Sequence, residues 1–291
     1  MGELRAGEAA LLVDNKGRRY LVNLDPEKQY HSHAGFVPFS QIIGQPEGVQ
    51  VATTKGQKFR VFRPTMNDYV LQMKRGAQVI YPKDIAAILM MADVYPGCRV
   101  FETGVGSGAM SMALLRAGAI VTGYEVREDF LARAQKNVEG FLGAGVFERY
   151  QVHVADAYEG IELGRDGLEE DTPLFDRFVL DLPEPWQVIA HAPKALRPGG
   201  IIVAYTPSIT QAQQVRRALN NGMYDEVSTT EVLYRTWHIE GQAVRPDHRM
   251  VGHTAFLTRG RLVGPSLEKP QPADTDLDAA AEPLDAPGGN L

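Results

Sequence analysis

The sequence predicts an α/β protein with a mainly parallel, doubly wound sheet of seven strands and a small β domain in front of it. Three observations predict this fold. Strand-like and helix-like segments alternate from about residue 66 onward, and a glycine-rich loop joins the first of these strands to a helix. The last two strand-like runs, Glu226 to Ile239 and Thr254 to Arg259, follow each other without a helix. They predict an antiparallel hairpin at the end of the sheet.

The first 65 or so residues read as short strands separated by turn formers, which predicts the small β domain. The predicted strands are Ala9 to Val13, Arg19 to Leu24, Val49 to Thr54 and Lys58 to Phe62. Two of the breaks, at Gly17 and Gly56, have the residues of tight hairpins. Between them lies a predicted loop with His31 and His33. No third ligand lies close in sequence, so we interpret these histidines as surface or subunit contacts rather than a metal site.

The larger domain is predicted because segments with the apolar spacing of helices alternate with segments that have the apolar character of strands. The predicted helices are Asn67 to Lys74, Pro82 to Ala92, Ser107 to Arg116, Arg127 to Asn137, Gln187 to Ala195 and Ile209 to Asn220. The other predicted strands are Arg99 to Glu102, Ile120 to Glu125, Tyr150 to Val154, Phe175 to Leu180 and Ile201 to Tyr205. The second helix begins at Pro82, a position where proline is well tolerated.

Composition excludes several classes of protein. The single cysteine, Cys98, excludes an internal disulfide and fits a reducing cytosol. The longest apolar run, residues 85–92, is far shorter than the roughly 18 residues of a membrane span. The N-terminus shows no signal-peptide pattern. We therefore expect a cytoplasmic protein without a membrane partner.

The net charge of -6 hides an uneven distribution. Residues 1–80 carry a charge of +4, whereas residues 81–264 and 265–291 carry -5 each. The last segment is rich in Pro, Ala and Asp and has no aromatic residue, which predicts a disordered acidic tail. The expected organisation is a β domain over 1–65, a catalytic domain over 66–264 and the tail over 265–291. The total charge is thus no evidence against a nucleic-acid partner.

A ligand site is predicted where the glycine loop meets the ends of the strands. Gly104, Gly106 and Gly108 follow the first strand of the sheet, and they allow a tight turn and close approach to a ligand. Glu125 ends the next strand, where a carboxylate can accept from ribose hydroxyls, and Asp156 follows the third, within reach of an exocyclic amine. Taken alone, each carboxylate is better explained as a helix cap or a solvated strand end than as a ligand. Together they form the rim at which open α/β sheets bind ligands.

This set, with Glu102 before the loop and Leu196 to Gly200 before the fifth strand, resembles class I S-adenosylmethionine-dependent methyltransferases more than nicotinamide dehydrogenases. The resemblance implies S-adenosyl-L-methionine as cofactor and a Rossmann-like sheet. The cofactor-binding residues that it implies are Glu102, Gly104, Gly106, Ser107, Gly108, Glu125, Asp156 and Asp181.

The reaction is indicated by Asp181, which follows the fourth strand in the motif Asp-Leu-Pro-Glu-Pro-Trp. This motif, with Gln78 to Asp84, Arg245 to Thr254 and His31 to Gly35, resembles the tRNA (adenine-N1)-methyltransferases of the TrmI type. The resemblance implies methylation of adenine 58 in the T loop of tRNA and a homotetramer. Whether adenine 57 is also a target is left open.

We expect Asp181 to accept a hydrogen bond from the N6 amine of the target adenine. Tyr81 and Tyr205 are candidates for stacking on the extruded base, although core packing explains either tyrosine equally well. Trp186 is expected near the site or as an anchor of its loop. His253 and Arg245 are expected to meet RNA or a neighbouring subunit.

The basic residues of the first 80 positions predict a surface that docks tRNA. They include Lys16, Arg18, Arg19, Lys55, Lys58, Arg60, Arg63, Lys74 and Arg75. Two alternatives remain at this point. A protein isoaspartyl-type carboxyl methyltransferase would share the cofactor rim, and a non-catalytic RNA-binding scaffold would share the basic surface.

Overall fold

The computed structural model of the chain describes residues 2–76, 78–162 and 174–265. The predicted acidic tail lies outside the described residues. Within the described part, no helix combines the length and the apolar character that crossing a membrane requires.

The N-terminal β domain contains six strands, β1 to β6. Their bounds are Ala9–Asp14, Arg19–Asn23, Gln29–Ser32, Gly35–Pro38, Gln50–Ala52 and Lys58–Phe62. Four of them form an antiparallel sheet in the order β2-β1-β6-β5. Both predicted hairpins are confirmed, because β1 pairs with β2 across Gly17 and β5 pairs with β6 across Gly56. Apolar residues such as Leu12, Phe59 and Val61 form the core of this domain.

The loop predicted around His31 and His33 is wrong in part, since β3 and β4 pair with each other there. Polar residues alternate too irregularly in this segment for a strand to be read from apolar spacing. Ser32 stabilises the turn, because its hydroxyl accepts from Ala34 N (3.1 Å) and donates to Gln57 Oε1 (2.9 Å). The His31 ring lies 3.1 Å from the side-chain nitrogen of Gln29.

The catalytic-domain sheet has seven strands in the order β12-β15-β11-β10-β7-β8-β9. Their bounds, in chain order, are β7 Arg99–Thr103, β8 Ile120–Glu125, β9 Tyr150–Val154, β10 Phe175–Leu180, β11 Leu196–Thr206, β12 Tyr224–Glu231 and β15 Phe256–Leu262. The strands β7 to β11 pair in parallel, and β15 runs antiparallel to both of its neighbours. The predicted fold class is confirmed.

Helices cover both faces of this sheet. They are α1 Met66–Gln72, α2 Pro82–Met91, α3 Ala109–Arg116, α4 Glu128–Leu142, α5 Pro185–His191 and α6 Ile209–Leu219. Side chains alternate between the faces, as a period of two requires. Val100, Val179 and Val203 belong to one buried apolar cluster, whereas Phe101, Phe178 and Ile202 belong to the other. Burial on both faces explains why these central strands read as continuous apolar runs.

Two predicted bounds are wrong for identifiable reasons. The run predicted as one strand from Glu226 to Ile239 is divided after Glu231. Glu231 pairs with Phe256, the first residue of β15, so the residues after Glu231 have no partner on β15. The chain instead forms a separate hairpin of β13 (Trp237–Glu240) and β14 (Ala243–Pro246). The helix predicted over Gln187 to Ala195 ends at His191, because Pro193 has no N–H with which to continue the α-helical hydrogen bonds, and Ala192–Lys194 form a 3-10 turn instead.

Candidate active site

The predicted site residues meet because three neighbouring strands end at the same level. Leu180 is in register with Thr103, and Thr103 with Tyr124. The backbone continues this alignment beyond the strands, since Asp181 N donates to Thr103 O (3.0 Å) and Gly104 N donates to Tyr124 O (3.1 Å). The loops after β7, β8 and β10 therefore start side by side.

Glycine is required at two positions of the loop after β7 for different reasons. Gly104 has φ +79°, and a Cβ there would lie 1.8 Å from the carbonyl oxygen of Asp181. Gly108 has φ +81°, and a Cβ there would lie 3.2 Å from backbone atoms of Ala134 in α4. The first glycine lets two loops touch, and the second lets α3 pack against α4. The helix α3 begins at Ala109, two residues later than predicted.

Gly106 has a different environment. Its N–H donates to Glu125 Oε2 (2.9 Å), and a Cβ at this position would have no neighbour closer than Gly104 O at 3.8 Å. The space in front of Gly106 belongs to a narrow cleft. The cleft is lined by Gln78, Val79, Ile80, Gly104, Val105, Gly106, Ser107, Ala109, Met110 and Asp181.

Glu125 and Asp156 occupy the ends of β8 and β9 as the sequence predicts, but their surroundings differ. Glu125 is buried, and its two oxygens accept from Gly106 N (2.9 Å) and Arg127 N (3.1 Å). Asp156 is exposed and accepts from Tyr158 N (2.9 Å) in its own turn. Glu125 is thus fixed against the glycine loop, whereas Asp156 stands at the solvent edge of the rim.

Glu102 lies beneath the loop in a fully enclosed position, with 2% of its surface exposed. Ser111 donates to Glu102 Oε2 (2.6 Å), and the Tyr150 hydroxyl donates to Ser111 Oγ (3.0 Å). Burial raises the pKa of Glu102 to about 8, and the nearby charges of Asp181 and Glu125 act in the same direction. Glu102 is therefore mostly neutral at pH 7 in the structure described.

Asp181 faces the narrow cleft opposite the glycine loop. Burial raises the pKa of its carboxyl to about 7, and the negative charge of Glu125 adds to this effect. A carboxyl group with such a pKa changes its protonation state easily at neutral pH. This property is common among acid and base groups of active sites.

Tyr205 follows Ala204, which is in register with Leu180, so Tyr205 stands next to Asp181 along the rim. Tyr205 is 7% exposed and packs against the apolar core. Burial raises the pKa of its hydroxyl, and the charges of Asp181 and Asp84 and the neighbouring Tyr81 raise it further. Tyr81 is half-buried and immediately precedes α2. It follows Ile80, which lines the cleft together with Asp181.

The remaining candidates lie around the rim. Trp186 is partly buried against the apolar cluster beneath its loop, which fits an anchoring role. His253 points Nδ1 at Glu231 Oε1 (2.6 Å) and Nε2 at Pro207 O (2.8 Å), and these two acceptors raise the pKa of the imidazole. Arg245 lies in β14, away from the cleft.

The sequence did not reveal Asn137, which holds the glycine loop against the segment before α2. Its side-chain nitrogen donates to Ser107 O (3.0 Å) and to Lys74 O (3.1 Å), and Gly76 N donates to Ser107 Oγ (3.3 Å). A buried asparagine on the apolar face of α4 is the signal that could have indicated it. Lys83 and Asp84 lie in the segment Gln78 to Asp84 that carries the family resemblance, but the sequence assigns them no individual role.

Comparison with known proteins identifies the family. The protein-family model described as "tRNA methyltransferase complex GCD14 subunit" matches residues 58–247 of the sequence, which is more than half of the chain. The chain belongs to this family. A second model, "TrmI-like N-terminal", matches residues 2–51.

Relatives and solved structures agree with this assignment. The tRNA (adenine(58)-N(1))-methyltransferase TrmI of Thermus thermophilus is 37% identical over 250 residues, which cover 85% of this chain and 94% of the relative. The tRNA (adenine(57)-N(1)/adenine(58)-N(1))-methyltransferase TrmI of Methanocaldococcus jannaschii is 34% identical, covering 89% and 96%.

Among solved structures, TrmI from Aquifex aeolicus, a tRNA (m1A58) methyltransferase, has a TM-score of 0.73 at 28% identity, covering 90% of this chain and 100% of that one. A SAM-dependent O-methyltransferase from Thermotoga maritima has a TM-score of 0.82 at 32% identity, covering 92% and 97%. The sheet is that of a class I S-adenosylmethionine-dependent methyltransferase.

Proposed function

We propose that this protein transfers a methyl group from S-adenosyl-L-methionine to N1 of adenine 58 in the T loop of tRNA. The observation that carries the proposal is Asp181, a half-buried carboxylate that faces the glycine-loop cleft in a chain of the GCD14 family. A protein isoaspartyl-type carboxyl methyltransferase would need no such group for its acceptor. A non-catalytic scaffold would not need the assembled rim.

The residues around the cleft fit the methyl donor. Glu125 is held at the edge of the glycine loop with lone pairs left to accept from ribose hydroxyls, and Asp156 stands one strand further out for the adenine amine. The open space in front of Gly106 allows a ligand to approach the backbone closely. Ser107 and Asp181 complete the lining as a buried and a half-buried polar group, and Glu102 lies beneath the loop. When bound, the donor supplies an electrophilic methyl group on a positively charged sulfur.

Asp181 is proposed to orient the acceptor. Adenine N1 carries a lone pair and needs no deprotonation before attack, but positive charge develops on the ring as the methyl group is transferred. An ionised Asp181 accepts a hydrogen bond from the N6 amine, which both aligns the base and stabilises that charge. With a pKa of about 7, Asp181 is also suited to take a proton afterwards.

The target base must leave its stack to reach this cleft, because N1 is engaged in pairing within the T loop. Tyr205 stands next to Asp181 along the rim and Tyr81 follows the cleft residue Ile80, so an extruded base beside Asp181 is proposed to lie near both tyrosines. We propose that Tyr81, the more exposed of the two, stacks on the base and that Tyr205 supports it from the core.

Docking of the tRNA is proposed to use the lysines of the N-terminal domain. Lys16, Lys55 and Lys58 are exposed, so their charges face solvent. Arg18 is instead paired with Asp14 (2.6 Å), and Arg19 with Asp68 of α1. An Arg19→Glu variant would place a carboxylate next to that of Asp68 and destabilise the fold. A loss of tRNA binding in that variant could then come from misfolding instead of from a lost phosphate contact. The lysines are the cleaner probes.

Self-association is proposed to use the segment 233–253, which we call the arm. The arm contains the β13-β14 hairpin, which forms a small sheet of its own. Its exposed apolar side chains are Leu233, Tyr234, Trp237, Ile239, Val244, Met250 and Val251. Exposed apolar side chains concentrated in one segment are typical of an interface. A second copy of the chain is the proposed partner, in a homotetramer of cytoplasmic location, and the family model itself names a complex.

The proposal is tested with labelled methyl donor and an unmodified tRNA transcript, followed by mapping of the modified base. We expect label at N1 of adenine 58 in the wild-type reaction. Asp181→Ala should lower kcat by at least about 100-fold while the Kd for S-adenosylmethionine changes little, because the lost interaction acts on the transition state. Asp181→Asn, which keeps the size of the side chain, separates loss of charge from loss of packing. Label on another base, on an oxygen or on protein carboxyls would overturn the proposal.

A further inference from the structure

A buried charged cluster lies next to the proposed site and is not used by the chemistry above. It consists of Lys83, Asp84 and Thr254. The side chains of Lys83 and Asp84 are 9% and 0% exposed. The Lys83 ammonium donates to Asp84 Oδ1 (2.7 Å), to Thr254 Oγ1 (2.6 Å) and to Val232 O (2.7 Å). Thr254 Oγ1 in turn donates to Asp84 Oδ2 (2.7 Å).

Every polar group in this cluster has a partner. All three Lys83 protons are used, each Asp84 oxygen accepts once, and the Thr254 hydroxyl both accepts and donates. Burying a charged pair contributes little net stability compared with apolar side chains of similar volume. The cluster therefore calls for an explanation other than stability, and its connections supply one.

The cluster joins three parts of the chain that border the site. Val232 is the residue at which the chain leaves β12 for the arm, and Thr254 is the residue at which the chain returns towards β15. Lys83 donates hydrogen bonds to both Val232 and Thr254 and therefore holds the two ends of the arm together. His253 adds a neighbouring tie, since it binds Glu231 and Pro207 at the ends of β12 and β11.

The other end of the cluster is fixed to Tyr81. Tyr81 O accepts from Asp84 N and Ile85 N, both at 2.9 Å, so the backbone of the first turn of α2 and that of Tyr81 move together. One buried group thus contacts the base of the arm on one side and, through the first turn of α2, the backbone of Tyr81 on the other.

We propose that Lys83, Asp84 and Thr254 form a positioning cluster that holds Tyr81 in place for the target base and couples it to the base of the arm. The inference rests on the proposed function for its substrate. Its members are positioning residues, because none of them lines the cleft. Apolar side chains in place of Lys83, Asp84 and Thr254 would fill the same volume. Their contacts are not directional, so they would not fix the orientation of the first turn of α2 as these hydrogen bonds do.

Thr254→Val is the decisive variant, because it removes two hydrogen bonds and leaves the Lys83–Asp84 pair in place. We expect kcat on tRNA to fall about tenfold while the Kd for S-adenosylmethionine stays within about twofold, as loss of positioning alone requires. Thr254→Ser, which retains the hydroxyl, should restore most of kcat.

Thr258→Val is the matched control. Thr258 is a residue of β15, four positions after Thr254, and it is 0% exposed. Its hydroxyl shares a hydrogen bond of 3.0 Å with that of Thr229 on the neighbouring strand β12. It should lower thermal stability by a similar amount and leave kcat unchanged. Equal loss of kcat in both valine variants, or no loss in Thr254→Val, would overturn the inference.

Amide hydrogen exchange tests the coupling without any activity. In Thr254→Val, exchange at Asp84 and Ile85 should become faster, because their amides cap the turn that the cluster holds. Unchanged exchange there would overturn the coupling. If the wild-type protein methylates no tRNA, the proposed function fails, and the exchange comparison still decides whether the cluster holds α2.

Discussion

Gly104 offers the sharpest test of how the site is built. A methyl group at this position would lie 1.8 Å from the carbonyl oxygen and 2.8 Å from the carbonyl carbon of Asp181, so Gly104→Ala must push the loops after β7 and β10 apart. The left-handed backbone, with φ +79°, adds strain. We expect a loss of about 1 kcal/mol from the backbone and a further loss of about 1–3 kcal/mol from overpacking.

Gly106→Ala is the matched control, because the two glycines share a loop and a positive φ. Its methyl group would meet nothing closer than 3.8 Å, so only the backbone strain of about 1 kcal/mol applies. Urea unfolding measures the free energy of unfolding of both variants, and turnover on tRNA measures the displacement of Asp181. Gly104→Ala should lose more stability and much more of kcat, whereas Gly106→Ala should mainly weaken donor binding. Equal stability and equal kcat in the two variants would refute the proposed contact between the loops.

Three further predictions concern pH, RNA and assembly. Since the ionised form of Asp181 accepts the hydrogen bond, kcat/KM should fall as the pH drops below about 7, and Asp181→Asn should flatten this profile. Lys55→Glu and Lys58→Glu should each weaken tRNA binding and lower the salt dependence of log Kd by about one, leaving donor affinity unchanged; an unaltered salt dependence would contradict the docking surface. Ile239→Lys in the arm should reduce the mass measured by sedimentation, whereas Val154→Lys, at another exposed apolar residue on β9, should not; equal masses would exclude the arm as the interface.

The charge distribution is better understood with the structure than from the sequence. The basic N-terminal segment is real, but several of its arginines are held by carboxylates, including Arg63, which binds Glu8 (2.9 Å) and Glu47 (3.4 Å). A count of charges along the chain cannot show which cations are already paired, because the partners are distant in sequence. Pairing removes Arg18, Arg19 and Arg63 from the proposed RNA surface and makes the exposed lysines Lys16, Lys55 and Lys58 its clearest members.

Much of the fold was predictable from local pattern. The strands that begin at Ile120, Tyr150 and Phe175 have the predicted bounds, because β-branched and aromatic residues are frequent in each of them. Predictions failed where pairing partners decided the outcome. The run after Glu231 has the residues of a strand, but it turns back on itself because β15 does not extend far enough to pair with it.

The site divides in the same way. The glycine loop and the carboxylates Glu125, Asp156 and Asp181 were predictable from the sequence, because local residue types indicate where strands end and where the backbone can turn tightly. The contact between Gly104 and Asp181 and the raised pKa of the enclosed Glu102 became visible only in the folded chain. The same holds for the hydrogen bonds among Lys83, Asp84 and Thr254. These contacts join residues that are far apart along the chain. Their energies depend on burial and distance, which no local pattern encodes.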